Sequence, residues 1–157
     1  MLDIGCGPGR LVTALRGLGH SSLGIDVSQE AVARTVRRGG RALCRSVFDP
    51  LPDEGCWQTA LLIDGNVGIG GDPRALLERI AQVMAAGGLV LVETASRDVD
   101  ERLLVRVDDG QRSFGAAFPW ARLGVPALLR VARETGWAAT EQWSTRHRCF
   151  VALRRAA

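Results

Sequence analysis

A chain of 157 residues with 46% hydrophobic and 24% charged residues has the make-up of one globular domain, able to bury about 70% of the surface its unfolded form exposes. Its 20 basic and 17 acidic residues leave a net charge of only +3, too little to argue for nucleic acid; every basic residue is Arg, a bias that a GC-rich coding genome produces. Cys6, Cys44, Cys56 and Cys149 form no C-x-x-C pair and have no neighbouring His, which argues against zinc and for a reduced cytoplasmic setting, and neither a basic-then-apolar leader nor an apolar run of 18 residues points to secretion or a membrane span.

From the N-terminus, Leu2-Asp3-Ile4 reads as a short buried strand breaking into Gly5-Cys6-Gly7-Pro8-Gly9-Arg10. Glycines at three alternate positions let the backbone take positive φ and approach a bound molecule closely, while the helix after them offers unpaired N–H groups. A plain strand-to-helix turn rarely needs three, so a ligand cradle is the favoured reading. Leu11, Val12, Ala14 and Leu15 then make a short amphipathic helix that Gly17 and Gly19 stop. Residues 21–26 are the next strand, and Ser28 caps a helix with Ala31, Val32, Thr35 and Val36 on its apolar face. Residues 41–48 read as a third strand, which leaves through the rigid loop Asp49-Pro50-Leu51-Pro52-Asp53. Residues 57–64 are a fourth strand, apolar on both faces, as suits a parallel strand covered by helices on both sides.

The glycine-rich loop 65–71 leads to the best-marked helix. Asp72 is its N-cap, Pro73 its first residue, Leu76, Leu77, Ile80, Val83 and Met84 its apolar stripe and Gly87 its stop. Residues 88–94 come next as a fifth strand, and strands alternating with helices at this spacing imply right-handed crossovers and a parallel sheet. The pattern then changes: 102–107 and 112–118 flank an Asp108-Asp109-Gly110 turn, so 97–123 is predicted as a hairpin insertion on the upper rim of the sheet. Pro126 opens a helix that Gly136 stops, and 137–145 with 148–153 close the chain as two antiparallel strands joined near Arg146-His147. The fold class is α/β: a doubly wound, mostly parallel sheet with an antiparallel last strand and a hairpin after strand five, in one domain over residues 1–157.

Ligands of open α/β sheets bind outside the carboxyl ends of the strands. The cradle, Asp26, Asp49 and Asp64 all fall on that rim, one from each of the first four strands. Asp26 lies 21 positions after Gly5, close to the ~20 at which an acid meets the ribose hydroxyls of a nucleotide; the same acid also suits the positive end of the helix it precedes. A dinucleotide loop usually reads G-x-G-x-x-G, whereas Arg10 stands where the third glycine would fall, which disfavours a pyrophosphate reader.

The stretch from Leu2 to Gly9 resembles the first motif of the class I S-adenosylmethionine-dependent methyltransferases. The similarity continues through Gly24-Ile25-Asp26-Val27-Ser28, Phe48-Asp49-Pro50-Leu51-Pro52 and Ala85-Ala86-Gly87-Gly88, in order and over nearly the whole chain. The resemblance implies a Rossmann-like fold with S-adenosylmethionine as cofactor. It implies that Asp3 and the backbone of Gly5, Cys6, Gly7 and Gly9 face the methionine half, whose ammonium and sulfonium charges suit an acid and carbonyls. Asp26 would take the ribose with Val27 beside it, Asp49 the adenine amino group with Val47 or Phe48 against the ring, and Asp64, Gly65 and Asn66 would lie near the methionine end. Cys6 is a small loop residue with no redox role. A buried Asp3 lacking a partner is expensive, which independently supports a bound cation or a backbone cap there.

Methyl transfer from a sulfonium needs an in-line approach, charge relief at sulfur and a site closed to water. A base is required only for a poor nucleophile, and the rim offers Asp64, Glu93 and His147; their ordinary alternatives are cofactor contact, a solvated strand-end acid and a surface histidine. His20 falls at the opposite rim. Acceptor specificity is expected from the loop 65–71, Asn66 included, and from the insertion. There Arg106, Arg112, Phe114, Phe118 and Trp120 give a pocket with aromatic walls and a cationic end, the alternative being a solvent-facing hairpin with Phe118 and Trp120 packed on the last helix. The sequence Asp64-Gly65-Asn66-Val67 is not the Asp/Asn-Pro-Pro-Tyr signature of enzymes that methylate base amino groups, so a small-molecule acceptor is expected, with no nucleic-acid or membrane partner.

The family normally carries helices before the first strand that fold over cofactor and acceptor. This chain begins inside that strand, and Met1 to Ile4 spans about 13 Å, so a truncated form lacking the N-terminal lid helices is expected. Two other readings stand beside the methyltransferase: a non-catalytic binding or regulatory domain of the same fold, which a missing lid favours, and a nicotinamide-dependent oxidoreductase, which Arg10 and the glycine spacing oppose.

Overall fold

The computed structural model describes residues 1–108, 110 and 113–155. Its elements run β1 (Leu2–Ile4), α1 (Arg10–Gly17), β2 (Leu23–Asp26), α2 (Gln29–Arg37), β3 (Ala42–Cys44), β4 (Trp57–Leu62), a 3-10 turn (Asn66–Gly68), α3 (Pro73–Val83), β5 (Met84–Thr94), β6 (Asp100–Asp108), β7 (Ser113–Leu123), α4 (Val125–Glu134), β8 (Trp137–Thr145) and β9 (Arg148–Arg155). Seven strands form one sheet in the order β3-β2-β1-β4-β5-β9-β8, and β6 with β7 forms a separate two-stranded ribbon. Strands β1 to β5 pair in parallel. Strand β9 runs antiparallel to β5, with Glu93 opposite Phe150 and Thr94 opposite Cys149, and β8 runs antiparallel to β9. The doubly wound sheet with an antiparallel end is as the strand pattern predicts.

The chain order reverses where β1 lies between β2 and β4, so the loops leaving β1 and β4 diverge and open a crevice at their carboxyl ends. The core holds this crevice in place. Leu76, Leu77, Ile80 and Val83 of α3 and Ala127, Leu128 and Ala132 of α4 pack in one buried cluster with Leu62, Val90, Val92 and Leu153 of the sheet. Trp137 belongs to the same cluster, and its indole N–H donates to the Leu77 carbonyl at 3.2 Å, tying β8 to α3. Helix starts obey the capping signals: Ser28 Oγ accepts from Ala31 N at 3.2 Å, and Asp72 Oδ1 accepts from Arg74 N at 3.0 Å and Ala75 N at 3.2 Å.

Several elements differ from expectation. Strand β3 is only Ala42–Cys44 because it is the sheet edge, paired with β2 alone, and beyond it Asp49 Oδ2 accepts from Ser46 N at 3.1 Å and closes a turn. Strand β4 stops at Leu62, before Asp64 adopts a positive φ of 59°. Helix α3 ends at Val83 rather than near Gly87, since Met84 turns extended and pairs with Trp57, while Gly55 N donates to the Val83 carbonyl at 2.8 Å. The sheet is also less evenly covered than expected: on β5, Val90, Val92 and Thr94 are buried, but Leu89, Leu91 and Glu93 on the other face are only half-buried.

The ribbon extends further than predicted in both strands. Its base is pinned by Ala95 N to the Leu123 carbonyl and Gly124 N to the Val99 carbonyl, each at 2.8 Å. A bridge between Ile69 and Trp120 ties it to the loop after β4, which sets β7 beside the crevice. No described helix is long and apolar enough to cross a membrane.

Candidate functional site

Gly5, Gly7 and Gly9 all take left-handed backbone angles, with φ of 71°, 52° and 76°. Gly5 N and Cys6 N both donate to the Ile25 carbonyl, at 2.9 and 3.0 Å, which folds the loop over the end of β2. Asp26 anchors the middle of the loop: its Oδ2 accepts from Gly7 N and its Oδ1 from Ser28 N, each at 2.8 Å. A carboxylate has about four lone-pair sites, so Asp26 joins the cradle to the start of α2 and keeps acceptor capacity for a ligand. Gly9 is a packing residue, since a Cβ there would enter the Thr35 side chain of α2. Gly7 differs, for a Cβ there would meet no protein atom within 4 Å; its surroundings are the open space of a cavity.

That cavity, of about 590 Å³, is lined by Asp3, Gly5, Cys6, Gly7, Arg10, Arg38, Asp64 and Asn66 among others. A second, of about 410 Å³, is lined by Asp26, Val27, Val47, Phe48, Ile69, Phe118 and Trp120 together with the same Gly5 and Asn66. The two lie side by side in the cleft at the carboxyl end of β1, one ionic and one aromatic, with Gly5 and Asn66 as their common wall. Asn66 holds the junction by donating from Nδ2 to the Ile4 and Gly5 carbonyls at 2.8 and 2.9 Å. A larger hollow of about 770 Å³ lies at the amino ends of the strands, around Met1, Ser22 and Trp57, away from this rim.

Asp3 is only 3% exposed, and its Oδ2 has no hydrogen-bond partner. Burial pushes its carboxyl up to about 6, against the pull of Arg10 and with smaller pushes from Asp64 and Asp26. Burial likewise pushes the Cys6 thiol up to about 12, which leaves it inert. A ligand cation beside Asp3 would relieve an otherwise unpaired buried acid.

At the mouth, Asp64 bonds Arg10 at 2.9 Å through Oδ2 and Arg148 at 2.7 Å through Oδ1. Arg148 Nε also donates to Glu93 Oε1 at 2.7 Å, and Asp64 N donates to Glu93 Oε2 at 2.6 Å. The Arg148 hydrogen bond holds the Glu93 carboxyl below the usual range, helped by the Asp64 N–H and opposed by partial burial. Glu93 is thus a committed anion in this structure, not a free base. His147 lies exposed in the turn between β8 and β9 and makes no hydrogen bond or ion pair among the described residues.

Of the expected site residues, the structure brings Asp3, Gly5, Cys6, Gly7, Asp64 and Asn66 to the ionic cavity and Asp26, Val27, Val47, Phe48, Phe118 and Trp120 to the aromatic one. Gly65 borders an adjoining hollow of about 360 Å³ with Asp64, Thr94, Arg97 and Trp120. Five described residues are not at the cleft wall, among them the candidate bases Glu93 and His147. Gly9 is turned to α2, Asp49 closes its own turn, and Arg106 sits exposed on the outer ribbon, where a two-stranded element has no second layer to turn it inward. Arg112 lies outside the described residues, as does the side chain of Phe114. Phe118 meets Trp120 edge to face with ring centres 6.0 Å apart, and both line the aromatic cavity.

Sequence reasoning missed Arg148, Arg10 and Ile69 as site residues. Arg148 lies two residues from Phe150, the partner of Glu93, and reaches Glu93 diagonally only once the antiparallel register is set. Arg10 comes directly after the cradle and opens α1, a position that aims a long side chain at whatever the loop holds.

The model of a family described as a methyltransferase domain matches residues 1–151. No curated protein sequence matches the chain. Among solved structures, an S-adenosylmethionine-dependent methyltransferase from Bacteroides fragilis, in complex with S-adenosyl-L-homocysteine, is similar at a TM-score of 0.79 and 23% identity, over 99% of this chain and 72% of that one. The 1,6-didemethyltoxoflavin-N1-methyltransferase of Burkholderia thailandensis, with 1,6-didemethyltoxoflavin and S-adenosylhomocysteine bound, is similar at 0.74 and 17% identity, over 99% and 70%. An S-adenosylmethionine-dependent methyltransferase from Methanosarcina mazei is similar at 0.74 and 15% identity, over 99% and 91%. The chain belongs to the methyltransferase-domain family and has the fold of the class I S-adenosylmethionine-dependent enzymes.

Proposed function

We propose that the chain is an S-adenosylmethionine-dependent methyltransferase acting on a small-molecule acceptor by in-line transfer, within one domain over residues 1–157. The observation that carries this reading is the pair of adjoining cavities that share Gly5 and Asn66, with the unpaired Asp3 and the open Gly7 in one and the Val47–Phe48 wall in the other. Its residues fit the cofactor part by part. Asp3 receives the ammonium, the remaining lone pairs of Asp26 accept from the ribose hydroxyls, and Val27, Val47 and Phe48 give apolar walls for the adenine. Bound there, S-adenosylmethionine supplies an electrophilic methyl group on sulfur. Phe118 and Trp120 close the side facing the ribbon and exclude water from the transfer.

Glu93 is committed to Arg148, which also holds Asp64. This arrangement favours an acceptor that is already nucleophilic near neutral pH over one that must be deprotonated by the protein. The Burkholderia enzyme, with 1,6-didemethyltoxoflavin bound beside S-adenosylhomocysteine, supports the small-molecule class. Exposed Cys44 and Cys56, both free, fit the reducing cytoplasm. Calorimetric titration with S-adenosylhomocysteine and with NAD tests the reading. Saturable binding of the first alone is expected; binding of NAD alone, or of neither at millimolar concentration, overturns it.

A further inference from the structure

The ionic end of the cleft carries both signs of charge in a fixed arrangement. Asp3 lies deep, nine-tenths or more buried, with one oxygen unpaired. Arg10 lies at the mouth of the same cavity, near enough to draw the Asp3 carboxyl downward. Helix α1 starts at Arg10, its N-cap Gly9 provides no side-chain cap and its first turn holds no acid, so its free N–H groups add positive potential beside that guanidinium. An acid below and a cation above, across one small cavity, match the two charges of an α-amino acid.

Arg10 is available for such a ligand. Its partner in this structure is Asp64, and both side chains of that pair are mostly exposed, at 59% and 63%; exposed pairs contribute little, so exchange costs little. Asp64 is not stranded by the exchange, because its other oxygen remains on Arg148 at 2.7 Å. Arg38 also borders the cavity, but it donates to the Pro8 carbonyl at 3.1 Å and braces the loop.

Resting on the methyltransferase reading, we propose that Arg10 is a specificity residue that leaves Asp64 to bind the α-carboxylate of the cofactor, so that the cleft selects ligands carrying the intact amino-acid head. Arg10 forms a planar, charge-assisted pair with the carboxylate while Asp3 takes the ammonium. The residue that takes the place of a third glycine thereby serves recognition.

The test is calorimetric titration of wild-type chain, Arg10→Gln and Arg10→Lys with S-adenosylhomocysteine and with its decarboxylated analogue, S-adenosyl-3-thiopropylamine. Arg10→Gln is expected to weaken S-adenosylhomocysteine by about tenfold or more, the range of one hydrogen bond to a charged group, and to leave the analogue within about twofold. Arg10→Lys should recover part of the loss, because charge is kept while the fork is lost. Equal weakening of both ligands, or of neither, overturns the role of Arg10 and leaves the methyltransferase reading standing. Failure of the wild-type chain to bind S-adenosylhomocysteine overturns that reading and this inference with it.

Discussion

Replacing Asp3 by Asn should remove a pH-dependent penalty on the stability of the ligand-free chain, although it removes a site residue. In the folded chain the Asp3 carboxyl is pushed from 3.8 to about 6 by burial. Between those values the folded state holds a proton that the unfolded state has lost, so stability falls as pH rises through this window and stays lowered above it. About two pK units at about 1.4 kcal/mol each give a pH-dependent penalty of about 3 kcal/mol. The Asn amide still needs partners and adds an offset, but that offset does not vary with pH. Urea unfolding of both proteins from pH 4 to pH 8 should therefore show the difference, Asp3→Asn minus wild type, rising by about 3 kcal/mol across the range. Binding should move the other way: affinity for S-adenosylhomocysteine rises from pH 5 to pH 7 in wild type, as Asp3 ionises to meet the ammonium, and stays flat and weak in Asp3→Asn. A stability difference that is flat across pH would refute the claim that Asp3 is a buried acid waiting for a cation.

Gly7→Ala forces a side chain into the left-handed region at a cost of about 1–2 kcal/mol, yet meets no protein atom; its thermal midpoint should drop modestly while titration shows S-adenosylhomocysteine affinity lost by about tenfold or more. Asp26→Ala removes the acceptor of two backbone N–H groups and should cost about 2 kcal/mol in urea unfolding. Glu93 is held below its ordinary range by Arg148, so its contribution is present above that range and lost as pH falls through the folded value; the wild-type advantage over Glu93→Gln in thermal melts should shrink between pH 6 and about pH 3. Trp137→Ala empties a site that is 2% exposed and removes the indole donor that ties β8 to the Leu77 carbonyl, and should cost about 3–5 kcal/mol.

The parts of the fold that were legible are those with a local physical signature. The Asp72–Pro73 start of α3, the Ser28 cap and the glycine cradle each depend on backbone chemistry written in a few neighbouring residues. Features that depended on pairing were harder to read. Met84 continues an apolar helical stripe in sequence, but it leaves the helix because Trp57 offers it a place in the sheet. The site divides in the same way. Asp3, Asp26 and the cradle derive from strand ends and spacing, whereas the Glu93–Arg148–Asp64–Arg10 chain joins four separate elements or loops and emerges only once β9 is set against β5. Arg106 shows the limit of composition: a basic residue in the right segment stays outside the cleft because of the ribbon strand it occupies.

The central claim, that the two cavities are one cofactor cleft meeting at Gly5 and Asn66, is tested most directly by a crystal structure of the chain with S-adenosylhomocysteine. The predicted result is ligand density through both cavities, with the ammonium within hydrogen-bond distance of Asp3, the ribose on Asp26 and the adenine against Val47 and Phe48. Ligand bound elsewhere, or bound with Asp3 still unpaired, would contradict it.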